Sequence, residues 1–295
     1  MSQTSERAKT RLRNLKAIEP LLSALKTISM GNWQMALNKV SQIQHYEQHY
    51  RQILADILPV VKDEVIRNKR PGKDNNRVVV LVIGTEHGLC GRFNDLLVEN
   101  TLQWLQEQDF LEKKVWALGT KMTTTLERKG VTPDWAQPLP GREVGSYEQA
   151  FRMTQDWQTR YENREFDRLV VLYNQAVRGG GNEFSTQILL PFQMQPHLQQ
   201  TGVENKKWPA PIIETDPVGI LRQINLHFLA SSFYQVQLKS MIAESSSRFR
   251  IMEEAKQNAG DIMTALSQEI QAERKRQITQ EMQELAVGAG LIDNK

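Results

Sequence analysis

The sequence predicts a small α/β domain set between two long helices that pair with each other as an antiparallel coiled coil. Three observations carry this fold class. A short β-branched run, VVVLVI (Val78 to Ile83), opens a stretch where apolar runs alternate with helical patterns. Ahead of that stretch, apolar residues recur at steps of three and four, the mark of a helical stripe. Behind it, no proline follows Pro217, and a helical pattern runs from about Gly219 to Gly288.

Composition bounds the reading. The chain has 295 residues, 40% of them hydrophobic, enough for one or two packed domains. Its net charge is +3, a small excess that gives no concentrated basic patch and does not argue for nucleic acid. One cysteine excludes an intrachain disulfide and an internal thiol–disulfide switch. The start, MSQTSERAKTRLRNLKAIEP, lacks an apolar core of signal-peptide length, and Glu6 and Glu19 count against a transit peptide. No apolar run approaches the roughly 18 residues of a membrane helix, so membrane association would go through partners.

The first segment, residues 1–67, is the N-terminal helix. Its stripe runs Leu12, Leu15, Leu22, Leu25, Ile28, then Trp33, Leu37, Val40 and Ile43. Pro20 interrupts it, and a proline removes a helical hydrogen bond. A bend near Pro20, or a helix that begins there, is therefore expected. Pro59 marks the approach to the far end. RNKRPGKDNNR (Arg67 to Arg77) then reads as a polar loop around a Pro-Gly turn.

The second segment, residues 77–216, is the α/β domain. VVVLVI reads as a strand covered on both faces. A helix follows over roughly Gly91 to Gln108, then a strand VWAL (Val115 to Leu118) and a helix near Lys121 to Arg128. A Pro- and Gly-rich loop leads to a helix over about Tyr147 to Tyr161. RLVVLYN (Arg168 to Asn174) is the third strand and FSTQILL (Phe184 to Leu190) the fourth. The order suggests a Rossmann-like domain with a mostly parallel sheet. RGGGNEF (Arg178 to Phe184) joins two strands and reads as a flexible connection. Pro191 to Pro217, with prolines at 196, 209 and 211 between, is irregular.

The third segment, residues 218–290, is one helix. Roughly 70 residues would span about 100 Å, against an average globular helix of about 11–12 residues. Its apolar seam runs Met252, Ala255, Ala259, Ile262, Leu266, Ile270, then Ile278, Met282 and Leu285, with Arg274 at the gap. The spacing averages close to 3.5, the period of a left-handed coiled coil. The simplest arrangement pairs the two terminal helices, with the C-terminal one projecting past the domain. Two helices cannot bury all their apolar surface, so an enclosing partner is implied. A seam arginine costs stability unless paired. Arg274 either snorkels to water or meets an acidic group on that partner, beside the basic run ERKR (Glu273 to Arg276).

The loop GTEHGLCGRFN (Gly84 to Asn94) raises the question of chemistry. A phosphate loop needs G-x-x-x-x-G-K-[ST], and here Gly91 is followed by Arg92 and Phe93. The dinucleotide fingerprint G-x-G-x-x-G is also unmet, and Glu86 would repel phosphate. Cys90 and His87 lack a third orienting group, so nucleophilic catalysis is disfavoured. A tight strand-to-helix turn with Cys90 packed beneath it is the better reading. His45 and His49 share a helix face at metal-binding spacing without a nearby third ligand. No catalytic residue, cofactor-binding residue or metal ligand is assigned.

Three stretches together resemble the gamma subunit of F-type ATP synthases, the central rotor shaft. That family's loop reads approximately S-D-[RK]-G-L-C-G-x-[FY]-N. Here Gly88, Leu89, Cys90, Gly91, Phe93 and Asn94 match, with Glu86 for Asp and His87 for the basic residue. The C-terminal pattern appears as Arg248-Phe249, Asn258-Ala259 and ITQEMQELAVGAG from Ile278 to Gly290, which places Arg274 on the family's Arg in R-Q-A-x-I-T, with Lys275 for Gln. At the N-terminus Arg11, Lys16, Ala24 and Lys26 match, while Leu25 and Pro20 depart. Among its branches the chain looks most like the alternate, N-type F-ATPases of some bacteria and archaea. The chloroplast form's regulatory segment has no counterpart.

The resemblance implies a shaft that turns inside a hexamer of alternating alpha and beta subunits and couples ion flow to ATP synthesis or hydrolysis. It implies no cofactor, and nucleotide chemistry in the partners rather than in this chain. The α/β domain would be a foot bearing on the epsilon subunit and the c-subunit ring, at the cytoplasmic face of the cell membrane or another energy-coupling membrane. Leu25, Lys26, Glu86, Arg92, Arg248, Arg274, Lys275, Ile278 and Thr279 become candidates for partner contact. Small residues at the tip, AVGAGL (Ala286 to Leu291), would suit a low-friction bearing. Competing expectations are an α/β enzyme, with a pocket at the C-terminal ends of its strands, and a coiled-coil adaptor that forms a homo-oligomer by itself.

Overall fold

The computed structural model describes residues 3–67, 77–139, 145–191 and 216–288. The Pro-Gly loop, the prolines at 196, 209 and 211, and the tip past Gly288 lie outside the described residues. Among those described, no helix is long and apolar enough to cross a membrane.

Ten elements follow one another: α1 (Gln3–Arg67), β1 (Arg77–Ile83), α2 (Phe93–Glu107), β2 (Glu112–Leu118), α3 (Thr120–Arg128), β3 (Trp135–Gln137), α4 (Tyr147–Glu162), β4 (Arg168–Ala176), β5 (Asn182–Leu190) and α5 (Pro217–Gly288). They form long antiparallel terminal helices flanking a small, mostly parallel Rossmann-like sheet. By contacts the chain divides into two compact units, residues 30–247 and the paired ends 1–29 with 248–295.

The unit of residues 30–247 is built on a sheet of order β3-β2-β1-β4-β5. β1 pairs in parallel with β2 and β4, β2 in parallel with β3, and β5 runs antiparallel to β4. Five strands stand where four were expected, because WAQ (β3) is too short to show a period of two and sits between Pro133 and Pro138. Of RGGGNEF, Arg178 to Gly181 lie in the β4–β5 hairpin turn, with Gly179, Gly180 and Gly181 all at positive φ, while Asn182 to Phe184 already belong to β5.

Strand alternation sorts the core into two layers. Val79, Leu81, Ile83, Trp116, Leu118, Leu169, Val171 and Tyr173 face α4 and the nearby stretches of α1 and α5, where Ala36, Ala150, Trp157, Leu229, Phe233 and Val236 are buried. Val78, Val80, Val82, Val115, Ala117, Val170 and Leu172 face α2 and α3, meeting Leu97, Val98, Met122 and Leu126. The unbroken VVVLVI run follows from cover on both sides: each of its residues is at most 1% exposed. Full burial of such a side chain contributes roughly 1.5–3 kcal/mol. Helices α2 and α3 lie on one face and α4 on the other, so the winding reverses between β1 and β4.

The unit of paired ends has a sparser core. Lys26 on α1 makes an ion pair with Glu253 on α5, and its ammonium lies 5.2 Å from the Phe249 ring centroid. Because residues 1–29 pair with those after Ser247, the helices run antiparallel. A line in steps of four and three runs through their less exposed positions: Ala8, Leu12, Leu15, Glu19, Leu22, Lys26 and Ser29 on α1, and Met252, Lys256, Ala259, Met263, Leu266, Ile270 and Glu273 on α5, with Ser23, Leu25, Ile251, Ala255, Gly260 and Ser267 half-buried beside it. This is a heptad seam.

Two expectations change here. The seam does not run through Ile262 and Arg274: Ile262 is 37% exposed, Arg274 is exposed, and Ala255 is half-buried beside the line. The cause is the period. Leu266 to Ile270 is a step of four, so the next seam residue falls three on, at Glu273. Arg274 then carries its charge in solvent and needs no buried partner. Nor does a helix begin at Pro20, since α1 starts at Gln3 and passes through it. Pro20 is exposed, away from the seam. Packing of Leu15, Glu19 and Leu22 on either side holds the helix across one missing hydrogen bond.

Candidate partner surfaces

The first surface is the loop of Gly84 to Asn94, at the C-terminal end of β1. In a doubly wound sheet, ligands bind where the strand order reverses, here beside the ends of β1 and β4. This chain fills that place with its own groups. The Thr85 amide donates to Asn94 Oδ1 (3.1 Å), Asn94 Nδ2 donates to Thr85 Oγ1 (2.8 Å), and that hydroxyl donates to the His87 carbonyl (2.7 Å). Asn174, at the end of β4, donates to the Phe93 carbonyl (3.2 Å). Ser240 of α5 reaches the Ile83 carbonyl (3.5 Å), and Ala243 packs with the buried Cys90 and Phe93.

Glycine is required where backbones close in. A Cβ on Gly84 would stand 2.5 Å from Met122 Sδ and 2.7 Å from Asn94 Oδ1. Gly119, at φ +105, would put a Cβ 2.6 Å from the Thr85 carbonyl oxygen. That carbonyl accepts the Lys121 and Met122 amides (3.1 and 3.3 Å). Glu86 completes the cap of α3: its carboxylate accepts from the Thr120 amide (2.9 Å), the Thr120 hydroxyl (2.6 Å) and the Leu139 amide (2.8 Å). Burial opposes ionisation of Glu86, but these hydrogen bonds outweigh it and hold its carboxyl below the usual range. The N-terminus of α3 thus already holds a carboxylate.

Above this braced base the loop presents Leu89, 60% exposed at φ 66. A non-glycine residue in that region costs roughly 1–2 kcal/mol, which the hydrogen bonds beneath sustain. Leu96, on the first turn of α2, is 46% exposed. Arg92 is exposed and pairs with Glu99 at 3.4 Å. His49 Nδ1 lies 3.0 Å from the His45 carbonyl, so the His49 ring is engaged with the helix backbone.

The second surface lies on the unit of paired ends. Counted back from the Lys26–Glu253 pair, the described part of α1 reaches about Arg276 of α5. Beyond it α5 continues to Gly288, roughly 18 Å of helix. That length carries an apolar line: Ile278, Met282 and Leu285 are 47%, 66% and 73% exposed. Arg274, Lys275 and Thr279 are exposed beside it, the Thr279 hydroxyl donating to the Lys275 carbonyl (2.9 Å). On α1, Ile18, Leu21 and Ile28 are about half exposed. Leu25 and Arg248 are half-buried.

The candidate residues therefore fall into two groups. Glu86 and Arg92 share the loop surface; Leu25, Lys26, Arg248, Arg274, Lys275, Ile278 and Thr279 share the paired ends. Sequence reading passed over Leu89 and Leu96 as exposed groups, because a leucine in a glycine-rich turn gives no sign of which way it points. It also gave no sign that Lys26 is spent on Glu253.

Comparison with known proteins agrees with this architecture. A family described as ATP synthase matches residues 4–290. The ATP synthase gamma chain of Chlorobaculum tepidum is 24% identical over 287 residues, 96% of either chain. That of Leptospira biflexa is 25% identical over 295 residues, 98% of this chain and 99% of the relative. Among solved structures, a chain of the Euglena gracilis mitochondrial ATP synthase rotor superposes with a TM-score of 0.59 at 15% identity, covering 93% of this chain and 99% of that one. A chain from the central stalk and c-ring structure of the Tetrahymena thermophila enzyme gives 0.57 at 17%, covering 80% and 99%. The two structures speak for the fold alone. With the family match running over nearly its whole length, the chain belongs to the gamma-subunit family of F-type ATP synthases.

Proposed function

We propose that this chain is the turning shaft of its complex. The paired ends sit inside a ring of alternating alpha and beta subunits, and their rotation changes each catalytic site in turn. The unit of residues 30–247 acts as the foot, bearing on the epsilon subunit and the c-subunit ring. Ion flow through the membrane sector is coupled in this way to ATP synthesis or hydrolysis. The chain is non-catalytic, needs no cofactor, and reaches the cytoplasmic face of the energy-coupling membrane only through its complex. The N-type branch is proposed on the departures at Glu86, His87, Leu25 and Lys275.

The observation that carries this reading is the exposed apolar line near the end of α5. Ile278, Met282 and Leu285 stand in line and largely exposed, and a row of this kind marks a surface that a partner covers. Stiffness supports it too, since α1 of 65 residues and α5 of 72 are each unbroken. The filled end of the sheet supports placing the nucleotide chemistry elsewhere.

Purification of the native complex tests the assignment. The expected ratio is one copy of this chain to three each of two larger subunits. A self-sufficient homo-oligomer would favour the adaptor reading instead. Within the complex, Met282→Asp with Leu285→Asp should uncouple ATP hydrolysis from ion pumping, and unchanged coupling would count against enclosure of the tip.

A further inference from the structure

The sheet in the unit of residues 30–247 ends in two unlike edges. β3 closes one side with three residues, set between Pro133 and Pro138. So short an edge, flanked by prolines, gives a foreign strand little to pair with. β5 closes the other side with nine residues, Asn182–Leu190, and holds neither proline nor lysine. Its only charged residue is Glu183, whose carboxylate already accepts from the Gln175 amide of β4.

The hairpin decides which backbone groups of β5 face outward. The Val177 amide donates to the Gly181 carbonyl (3.2 Å). From there the strands place Gln175 opposite Glu183, Asn174 opposite Phe184, Tyr173 opposite Ser185 and Leu172 opposite Thr186. In an antiparallel ladder every second pair exchanges hydrogen bonds, and the residues between turn their N–H and C=O away. Steps of two from Gly181 put Glu183, Ser185 and Gln187 in the bonded phase. Phe184 and Thr186 therefore present their amides and carbonyls to the outer edge, and Ile188 is next in phase. Among the described residues, no group bonds these outward positions.

Their side chains share one face of the sheet. Phe184 packs with the layer of Val170 and Leu172, on the side that carries α2 and α3. It is half-buried there, while Thr186 is exposed and Ile188 is 38% exposed. On the opposite face Ser185 and Gln187 are half-buried. The topology explains the open strip. α2 and α3 belong to the crossovers between β1, β2 and β3, whereas β4 and β5 are joined by a hairpin that brings no helix. The edge thus offers an apolar line on one face, a polar line on the other, and free pairing groups between them.

We propose that β5 is a docking edge for an extended strand from another subunit, which joins the five-stranded sheet as a further strand. The free backbone groups specify the occupant: only a strand satisfies them in series. The strand that fits is apolar at every second residue, beside Phe184 and Ile188, and polar between, beside Ser185 and Gln187. Main-chain hydrogen bonds at Phe184 and Thr186 hold it, and the alternating side chains select it. Lysine and proline, which close such an edge to strangers, are absent where a partner is received. The proposal rests on the role of residues 30–247 as a foot bearing on other subunits, and it names the place and form of one such contact.

Hydrogen exchange resolved to single amides by fragment mass spectrometry tests the edge, in the purified chain and in the native complex. In the purified chain, the Phe184 and Thr186 amides should exchange about tenfold faster than those of Ser185 and Gln187, which β4 holds. In the complex the same two amides should slow by about tenfold. Protection of both already in the purified chain would mean that another part of the chain covers the edge, and would overturn the proposal. Fast exchange persisting in the complex would overturn it as well, and would leave the shaft assignment standing if the one-to-three subunit ratio holds. A chain that purifies without partners would sink both. Thr186→Pro removes an outward N–H and no bond to β4. It should leave the melting temperature of the purified chain nearly unchanged while the complex loses one of its smaller subunits. Should that variant fail to fold, Ile188→Lys places a charge on the exposed strip for the same comparison. A folded variant of either kind that retains every subunit would contradict the docking edge.

Discussion

The two units of this chain bury their apolar residues to different degrees. In the unit of residues 30–247, every residue of VVVLVI is at most 1% exposed, and Trp157, Phe233 and Leu97 are sealed between sheet and helices. In the paired ends, full burial among the described residues is limited to Ala8, Ser29, Met252, Ala259 and Leu266. Three of those five are small. The same seam carries Glu19, Lys26, Lys256 and Glu273, and charged residues at such positions specify a coil at a cost in stability. Ile18, Leu21, Ile28, Ile278, Met282 and Leu285 meanwhile face outward. A sheet covered on both sides completes its own core. A two-helix coil leaves apolar residues outside, which is what the proposed shaft in a sleeve requires.

The contrast can be broken most forcefully in the α/β unit. Trp157→Ala removes a fully buried indole that touches Phe233 and Trp116. It should cost about 3–5 kcal/mol, read as a lower melting temperature of the full chain. The matching cut in the seam, Leu266→Ala, should cost about 2 kcal/mol, at the low end for a buried leucine, because its neighbours are few. Circular dichroism should report lost helix while tryptophan fluorescence stays unchanged, since Trp157 and its aromatic neighbours lie in the other unit.

Smaller effects sharpen the comparison at single contacts. Glu86→Ala removes the carboxylate cap of α3 and should cost about 1 kcal/mol. Because the folded carboxyl is held low, that contribution is present above the ordinary glutamate value of about 4.3 and lost as pH falls through the folded one. The difference in melting temperature between wild type and Glu86→Gln should therefore shrink between about pH 5 and about pH 3. Lys26→Met breaks the half-exposed pair with Glu253 and should change stability by less than about 1 kcal/mol. Smallest of all, Leu285→Asp should shift the isolated chain by no more than about 0.5 kcal/mol, although the proposed function makes it costly in the complex.

Much of this was readable from the sequence where one physical signal dominates. VVVLVI can only be a doubly covered strand, and a proline-free stretch of helical period can only be a long helix. The loop's missing Lys-Ser/Thr and its Glu86 already argued against phosphate, and in the structure the turn is closed on itself by the Thr85–Asn94 hydrogen bonds. The seam past Ile270 was not readable in the same way. Steps of three and four lead to Glu273 and Arg274, two charged neighbours, and only the facing helix decides between them. β3 was hidden by its length, and Pro20 by flanking packing that outweighs one lost hydrogen bond. The packing of His227 against Tyr50 and Phe151 was invisible because the three rings come from three different helices, α5, α1 and α4.

The claim that rests on all of this is that the chain turns inside its partners. A probe fixed to the unit of residues 30–247, in the native complex held down by its alpha and beta subunits, reads that directly when ATP is added. The account predicts stepwise rotation in one direction that stops when ATP is exhausted. A probe that only fluctuates about one angle while ATP is hydrolysed would contradict it.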